Sequence, residues 1–212
     1  MTSLPVIIIG VNSFALEVAD VLQKNDVVIY GFLDDDVKKK DTFIGEIPVL
    51  GTTEDEQYWG LIGKNCNVFV ALDNPTERKR MIETIMEDCK TKPINVVHPR
   101  ASIADVQSLG YGIFIGDGAI ILPSSKIADH CVIGAGTIIE TAANLDEYVQ
   151  VGSGCVIGKE AKLENNAFIG VNSTVVGSVK IGKSSSVGAG SVVIENLPNS
   201  KRAFSAFSLS SR

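Results

Sequence analysis

The chain has 212 residues, of which 45% are hydrophobic, enough for a core and for one or two domains. Its net charge of −6 argues against general nucleic-acid or anionic-membrane binding. The longest apolar run near the start, Leu4 to Gly10, is too short to span a bilayer and has no basic stretch before it, so a cytoplasmic protein without a membrane partner is expected.

The first hundred residues alternate strand and helix signals. Pro5 to Ile9 is an apolar run ending in Gly10 and reads as a buried parallel strand. Ser13 can cap a following helix whose apolar side is Leu16, Val18, Ala19, Val21 and Leu22. Val27 to Leu33 is a second strand, closed by Asp34, Asp35 and Asp36, and Lys38 to Thr42 is polar loop. Ile47, Val49 and Leu50 form a short apolar patch before Gly51, and Val68 to Leu72 is a third strand. Asn74-Pro75 opens a helix, with Asn as N-cap, Pro at the first helical position and Glu77 in the first turn. Met81, Ile82, Ile85 and Met86 supply its apolar stripe, and Asn95 to Val97 is a fourth strand. This pattern predicts a small open α/β sheet over residues 1–99.

At His98-Pro99 the pattern changes to a six-residue beat. Counted in sixes from Ile103 to Val193, all sixteen positions are Ile, Leu or Val. The next residue is often Gly, as at Gly134, Gly152 and Gly170, and the fourth residue on is usually small, as at Cys131, Thr137 and Cys155. Such hexads are the signature of a parallel β-helix, with the aliphatics stacked inward and Gly or Asn allowing positive φ at the corners. Each buried aliphatic is worth about 1.5–3 kcal/mol. The helix is placed at residues 100–194. Leu197-Pro198 marks its exit into a tail, 195–212, whose Ser-rich end is expected to be mobile. The four cysteines, Cys66, Cys89, Cys131 and Cys155, show no C-x-x-C spacing; they read as free structural thiols, and no metal site is expected.

The domain order, the phrase VVHPRASIA, the hexads and the ending VGAGSVVIENLP resemble the sialic acid and bacillosamine acetyltransferase family of left-handed β-helix acyltransferases. The resemblance implies a Rossmann-like domain that binds a nucleotide-linked sugar. It also implies a left-handed helix of three hexads per coil, a homotrimer with active sites between neighbouring helices, and acetyl-CoA or a longer acyl-CoA as co-substrate. The family's first loop reads like G-A-S-G-H-G; here it is Gly10-Val11-Asn12-Ser13-Phe14-Ala15. On this basis Asn12, Ser13 and Phe14, the acidic pair Asp34 and Asp35, and Leu72 and Asp73 are the expected substrate contacts. The pair would suit a uracil edge or a ribose hydroxyl.

The family's catalytic segment reads like V-x-E-H-D/E-C, and its histidine is a general base oriented by the adjacent acid. Here the segment is Ile138-Ile139-Glu140-Thr141-Ala142-Ala143: the histidine position holds Thr141 and the orienting acid Ala142. Gln150 stands where the family often has a second histidine near the acyl carbonyl. Glu140, Thr141 and Gln150 are therefore the candidate catalytic residues. Backbone N–H groups near Gly152 and Lys159 are the implied oxyanion donors. His98 reads as structural, and His130 lies one hexad earlier and at a different hexad position. Lys159, Gly170, Val171 and Ala189 fall where the family contacts the coenzyme, and Lys162 and Lys180 stack one coil apart. The family's closing G-x-P-A-K is replaced by Ser205 to Ser208.

Three readings fit the missing histidine: an amine acceptor that needs positioning more than a base, Glu140 as the base, or lost catalysis. The resemblance thus implies an acyl-CoA-dependent N-acyltransferase acting on a nucleotide-linked amino sugar for bacterial surface glycans. The alternatives are an O-acetyltransferase on a sialic-acid-like sugar and a non-catalytic binding or scaffolding trimer.

Overall fold

The computed structural model describes residues 4–204, and the chain divides into two compact units, Met1–Pro99 and Arg100–Arg212. The expectations on Ser205 to Ser208 and on a mobile Ser-rich end lie outside the described residues.

The first unit is an α/β sheet in the order β3-β4-β2-β1-β5. Its strands are β1 (Val6–Ile9), β2 (Ile29–Leu33), β3 (Phe43–Ile44), β4 (Ile47–Gly51) and β5 (Asn67–Val70). All pair in parallel except the β3–β4 hairpin. Helix α1 (Ser13–Lys24) follows β1, the short α2 (Glu56–Trp59) follows β4, and α3 (Pro75–Asp88) follows β5. The run VIII of β1 is wholly buried because both neighbours of this central strand are paired and both faces are covered. Asn12, not Ser13, caps α1: its Oδ1 accepts the Ala15 N–H at 2.8 Å. Asn74 caps α3 as its sequence predicts, accepting from Thr76 and Glu77. Lys38 to Thr42 is not all loop, since a 3-10 turn covers Val37–Lys39. The second strand begins at Ile29 rather than Val27, because the α1 exit turn takes the Val27 N–H to Leu22 O.

The second unit is a parallel β-helix. Two-residue strands pair with strands 18 residues on, so three hexads make one coil. Face I runs 102–103, 120–121, 138–139, 156–157, 174–175 and 192–193. Face II runs 126–127, 144–145, 162–163 and 180–181. Face III runs 114–115, 132–133, 150–151, 168–169, 186–187 and 202–203. In nearly every strand the first side chain faces out and the second in. From Ile115 to Val187 the inward aliphatics are buried, while Ile103 and Leu109 at the open end are half-exposed. The helix runs past the expected boundary at 194. Leu197 bridges Ile181, and Arg202–Ala203 pairs with Ser186–Val187 at a spacing of 16. Two residues are lost from the last coil, which ends the six-residue beat without ending the stacking.

The small residues of the beat also satisfy the corners. Thr137 Oγ1 donates to Gly152 O at 2.9 Å, Ser173 Oγ to Gly188 O at 2.9 Å, and Cys155 Sγ to Gly170 O at 3.1 Å. Buried hydroxyls and thiols therefore bond carbonyls 15 residues on, and burial pushes the Cys155 thiol up. At the III–I corner every coil begins with glycine. A Cβ on Gly134 would sit 2.4 Å from Ser153 N, so the next coil's backbone occupies that space.

From Gly112 to Gly190 each corner also contains one residue at positive φ, and most of these are not glycine. Ser124, His130, Ala142, Tyr148, Glu160 and Ser178 all stand near +60°. That conformation costs an L-residue roughly 1–2 kcal/mol, partly offset by glycine's own entropy of about 0.5–1 kcal/mol. Ser178 is exposed, so Ser178→Gly should stabilise the helix by about 0.5–1 kcal/mol, read as a higher denaturant midpoint. Ile157→Ala, in the sealed ladder, should cost about 2–5 kcal/mol.

Candidate active site

Parallel strands aim their carboxyl ends at one edge, and a crevice opens where the order of connection reverses. In the first unit that reversal lies between β1 and β5. A cleft of about 660 Å³ lies at this edge, with Ile9-Gly10, Leu33 to Asp36 and Leu72 at the strand ends. One face of α3 forms a wall, at Glu77, Arg80, Met81, Thr84 and Asp88, and Trp59 of α2 adds another part of the lining. Gly10 is required there: φ is +107° and a Cβ would meet Ala71 O at 2.8 Å.

The predicted substrate residues divide in two. Asp34, Asp35 and Leu72 line the cleft, whereas Asn12, Ser13, Phe14 and Asp73 are not among its lining. Asn12 is consumed by structure, capping α1 and donating from Nδ2 to Ala71 O at 2.8 Å, which ties the β1 and β5 loops together. The Phe14 ring packs edge-on against Phe69 at 6.2 Å, and Ser13 is exposed. Asp34 accepts the Val11 N–H at 2.7 Å and pairs with Lys39 Nζ at 3.0 Å, and that ammonium also bonds Val11 O. Asp35 Oδ1 accepts both the N–H and the hydroxyl of Thr53, at 2.9 and 2.8 Å. The acidic pair therefore holds the loops in place as well as lining the cleft. Trp59, Arg80, Met81 and Thr84 were not foreseen. Met81 was assigned to the apolar core stripe, yet with Glu77, Arg80, Thr84 and Asp88 it forms a separate i, i+3, i+4, i+7 face.

Beside this edge, Glu17 of α1 has its carboxyl pushed above the ordinary value, first by burial and then by Asp73.

On the β-helix, Glu140 and Thr141 occupy the I–II corner, and Lys159 lies directly one coil on. Glu140 Oε2 accepts the Lys159 N–H at 2.8 Å, so the carboxylate bridges two coils. The Thr141 carbonyl accepts the Glu160 N–H at 3.1 Å. Gly170, Val171 and Ala189 stack at the III–I corner, and Gln150 faces outward from face III, half-buried. One chain therefore sets Glu140, Thr141 and Lys159 at one edge of face I and Gly170, Val171 and Ala189 at its other edge, with Gln150 on face III. The implied oxyanion donors are already engaged. Gly152 N–H donates to Ile169 O at 2.8 Å and Lys159 N–H to Glu140, so neither is free for an oxyanion.

His130 is 3% exposed, with its ring stacked on Tyr148 at 4.9 Å and edge-on to Tyr111 at 5.0 Å. It stands at the II–III corner, not with Glu140 and Thr141, so it does not replace the missing base. Lys162 and Lys180 are cross-strand partners, as their spacing predicts. Lys180 pairs with Glu164 at 2.8 Å, which holds that carboxyl below its usual range, and Lys162 approaches Asp146 at 3.9 Å. Each ammonium group thus has a carboxylate of the adjoining corner beside it. Among the described residues no group of three or more His, Cys, Asp or Glu is set to hold a metal, and no helix is long and apolar enough to cross a membrane.

Two outcomes test this geometry. Gly10→Ala should destabilise the first unit by about 1–3 kcal/mol, since it places a Cβ against a carbonyl at positive φ, and should be read by thermal melting. Glu17→Gln should raise the melting temperature at neutral pH. The native carboxyl titrates above the unfolded one, so the wild-type penalty grows as pH rises past about 4.3. The gain should vanish below that pH.

The PglD N-terminal domain matches residues 5–85, and the bacterial transferase hexapeptide repeat matches residues 160–195. No curated protein sequence matches the chain. PerB from Caulobacter crescentus, solved with CoA and GDP-perosamine, is similar over 96% of both chains, at 27% identity and a TM-score of 0.84. A histidine-to-alanine mutant of the GDP-perosamine N-acetyltransferase of that organism, with the same two ligands, matches at 27% identity and a TM-score of 0.72, again over 96% of each chain. The acetyltransferase domain of PglB from Neisseria gonorrhoeae shares the fold, covering 96% of this chain and 97% of its own, with a TM-score of 0.86 at 18% identity. The chain thus has a PglD N-terminal domain followed by bacterial transferase hexapeptide repeats on a left-handed β-helix, and it is similar over nearly its whole length to sugar acetyltransferases of that fold.

Proposed function

We propose that the protein transfers an acyl group from acyl-CoA to the amine of a nucleotide-linked amino sugar. The observation that carries this reading is the likeness, over nearly the whole chain, to an N-acetyltransferase holding CoA and GDP-perosamine. The cleft at the β1–β5 edge takes the nucleotide, and the β-helix carries the acyl transfer. The amine nitrogen attacks the thioester carbonyl, the tetrahedral intermediate collapses, and the coenzyme leaves as its thiolate. Gln150 donates to the developing oxyanion through its side-chain amide.

The acceptor is an amine rather than a hydroxyl. Thr141 cannot abstract a proton at neutral pH, and a hydroxyl depends on a base far more than a positioned amine does. Glu140 takes the proton. Its Oε2 is bound by the Lys159 N–H, which fixes the group while the second oxygen receives the proton.

The active unit is a homotrimer. Face I presents Ile120, Ile138, Val156, Thr174 and Val192 outward, a mostly apolar ladder, whereas face II presents Lys126, Asn144, Lys162 and Lys180. Burying face I against another copy would bring the I–II corner of one chain to the III–I corner of its neighbour, so that Glu140 and Gly170 share one groove. The protein works in the cytoplasm, where acyl-CoA is available, and its product is destined for surface glycan.

Purified protein should acylate at least one member of a panel of amino-sugar nucleotides with acetyl-CoA or a longer acyl-CoA, and should run at three times the 22.5 kDa chain mass. Glu140→Gln should lower kcat by about 10²-fold with KM little changed. An unchanged kcat would move the proton to the departing thiolate. Binding of both ligands without turnover would leave a scaffolding trimer.

A further inference from the structure

Acyl transfer at the I–II corner needs a partner for negative charge. When the amine nitrogen bonds to the thioester carbon, the C=O electron pair moves onto oxygen, and a donor or cation must face that oxyanion. The two backbone donors in question are spent. The Gly152 N–H bonds Ile169 O at 2.8 Å, and the Lys159 N–H bonds Glu140 Oε2 at 2.8 Å. Gln150 stands on face III, outside this corner, and Thr141 offers only a neutral hydroxyl.

We infer that the side-chain ammonium of Lys159 is a further catalytic residue, facing the oxyanion of the tetrahedral intermediate, an inference that rests on the acyltransfer reading above. The pairing of strands 138–139 and 156–157 sets Lys159 one coil on from Thr141, and the bond from the Glu160 N–H to Thr141 O at 3.1 Å carries that register through the corner. The following coil has Gly177 in the same column, where a Cβ would lie 3.0 Å from Lys159 O, so no side chain stands over Lys159 from that side. Among the described residues Lys159 is the one cationic side chain at the I–II corners, residues 122–125, 140–143, 158–161, 176–179 and 194–196. Its ion pair is with Glu160 rather than Glu140. Nζ lies 3.7 Å from Glu160 Oε1, and the two side chains are 65% and 57% exposed. So exposed a pair holds its members loosely, and the flexible lysine stem lets the ammonium turn to a developing charge. The labour then divides within one corner. Glu140, fixed by the Lys159 N–H, takes the amine proton. The Lys159 ammonium offsets the charge on oxygen and neither gives nor takes a proton. On collapse the C=O re-forms, the C–S bond breaks, and the coenzyme leaves as its thiolate.

Steady-state kinetics of the full chain, with an acyl-CoA and an amino-sugar nucleotide that the wild type turns over, test this. Lys159→Met should lower kcat by about 10–10²-fold with KM for both substrates little changed. Lys159→Arg, which keeps the charge, should recover most of that loss. Lys126→Met, which removes an exposed lysine from face II, should leave kcat within about twofold. The two Lys159 variants should melt with the wild type, since the side chain is mostly exposed. Wild-type kcat in Lys159→Met, a loss confined to the KM for acyl-CoA, or Lys159→Arg as slow as Lys159→Met would overturn the inference and leave the acyltransfer reading standing. A wild type that turns over no pair of acyl-CoA and amino-sugar nucleotide would overturn both.

Discussion

Every outward side chain of the β-helix is placed by one constraint, the stacking of each inward aliphatic on its counterpart 18 residues away. With the aliphatics sealed, strand position, corner position and face follow from residue number alone. Glu140 and Lys159 share a corner region because of that stacking, and the hydrogen bond between them follows from it. Lys162 and Lys180 stand side by side for the same reason, and their charges are accommodated afterwards by Asp146 and Glu164. Those exposed pairs add little stability of their own; the apolar ladder holds them in register.

The first unit follows a different rule, in which side chains hold loops. Asn12 joins the β1 and β5 loops, Lys39 joins Asp34 to the Val11 carbonyl, and Asp35 holds Thr53. Asn12, Asp34 and Asp35 are the polar groups among these that sequence patterns alone assign to a ligand. Their hydrogen bonds give the cleft a fixed rim, so the carboxylates that line it are held in position in advance.

The β-helix was legible nearly residue by residue, because its period is a rule about burial and burial is the dominant force. Its end was less so. The coil containing Leu197 closes two residues early, and a strict count of six places the exit before Arg202–Ala203. The edges that hold Glu140 and Gly170 followed from register, but the engagement of the Lys159 and Gly152 N–H groups did not. A hydrogen bond from a side chain to the next coil leaves no trace in a hexad. The cleft wall was missed for a related reason: Met81 looks like core in any helical stripe, and only packing shows that α3 has a second face.

The non-glycine residues held near φ +60° give the helix another property. Each coil touches only the one before and the one after, so the structure is close to one-dimensional. In such a stack a substitution is a local event, while an inserted or deleted residue is a change of phase that carries to the end of the chain. A loss of one residue would bring inward aliphatics to corners and charged residues to the axis in every later coil. A loss of eighteen would restore the phase. The fold can therefore lengthen or shorten by whole coils, and among the described residues the one shift in phase, of two residues near Leu197, comes after the sealed ladder from Ile115 to Val187 rather than within it.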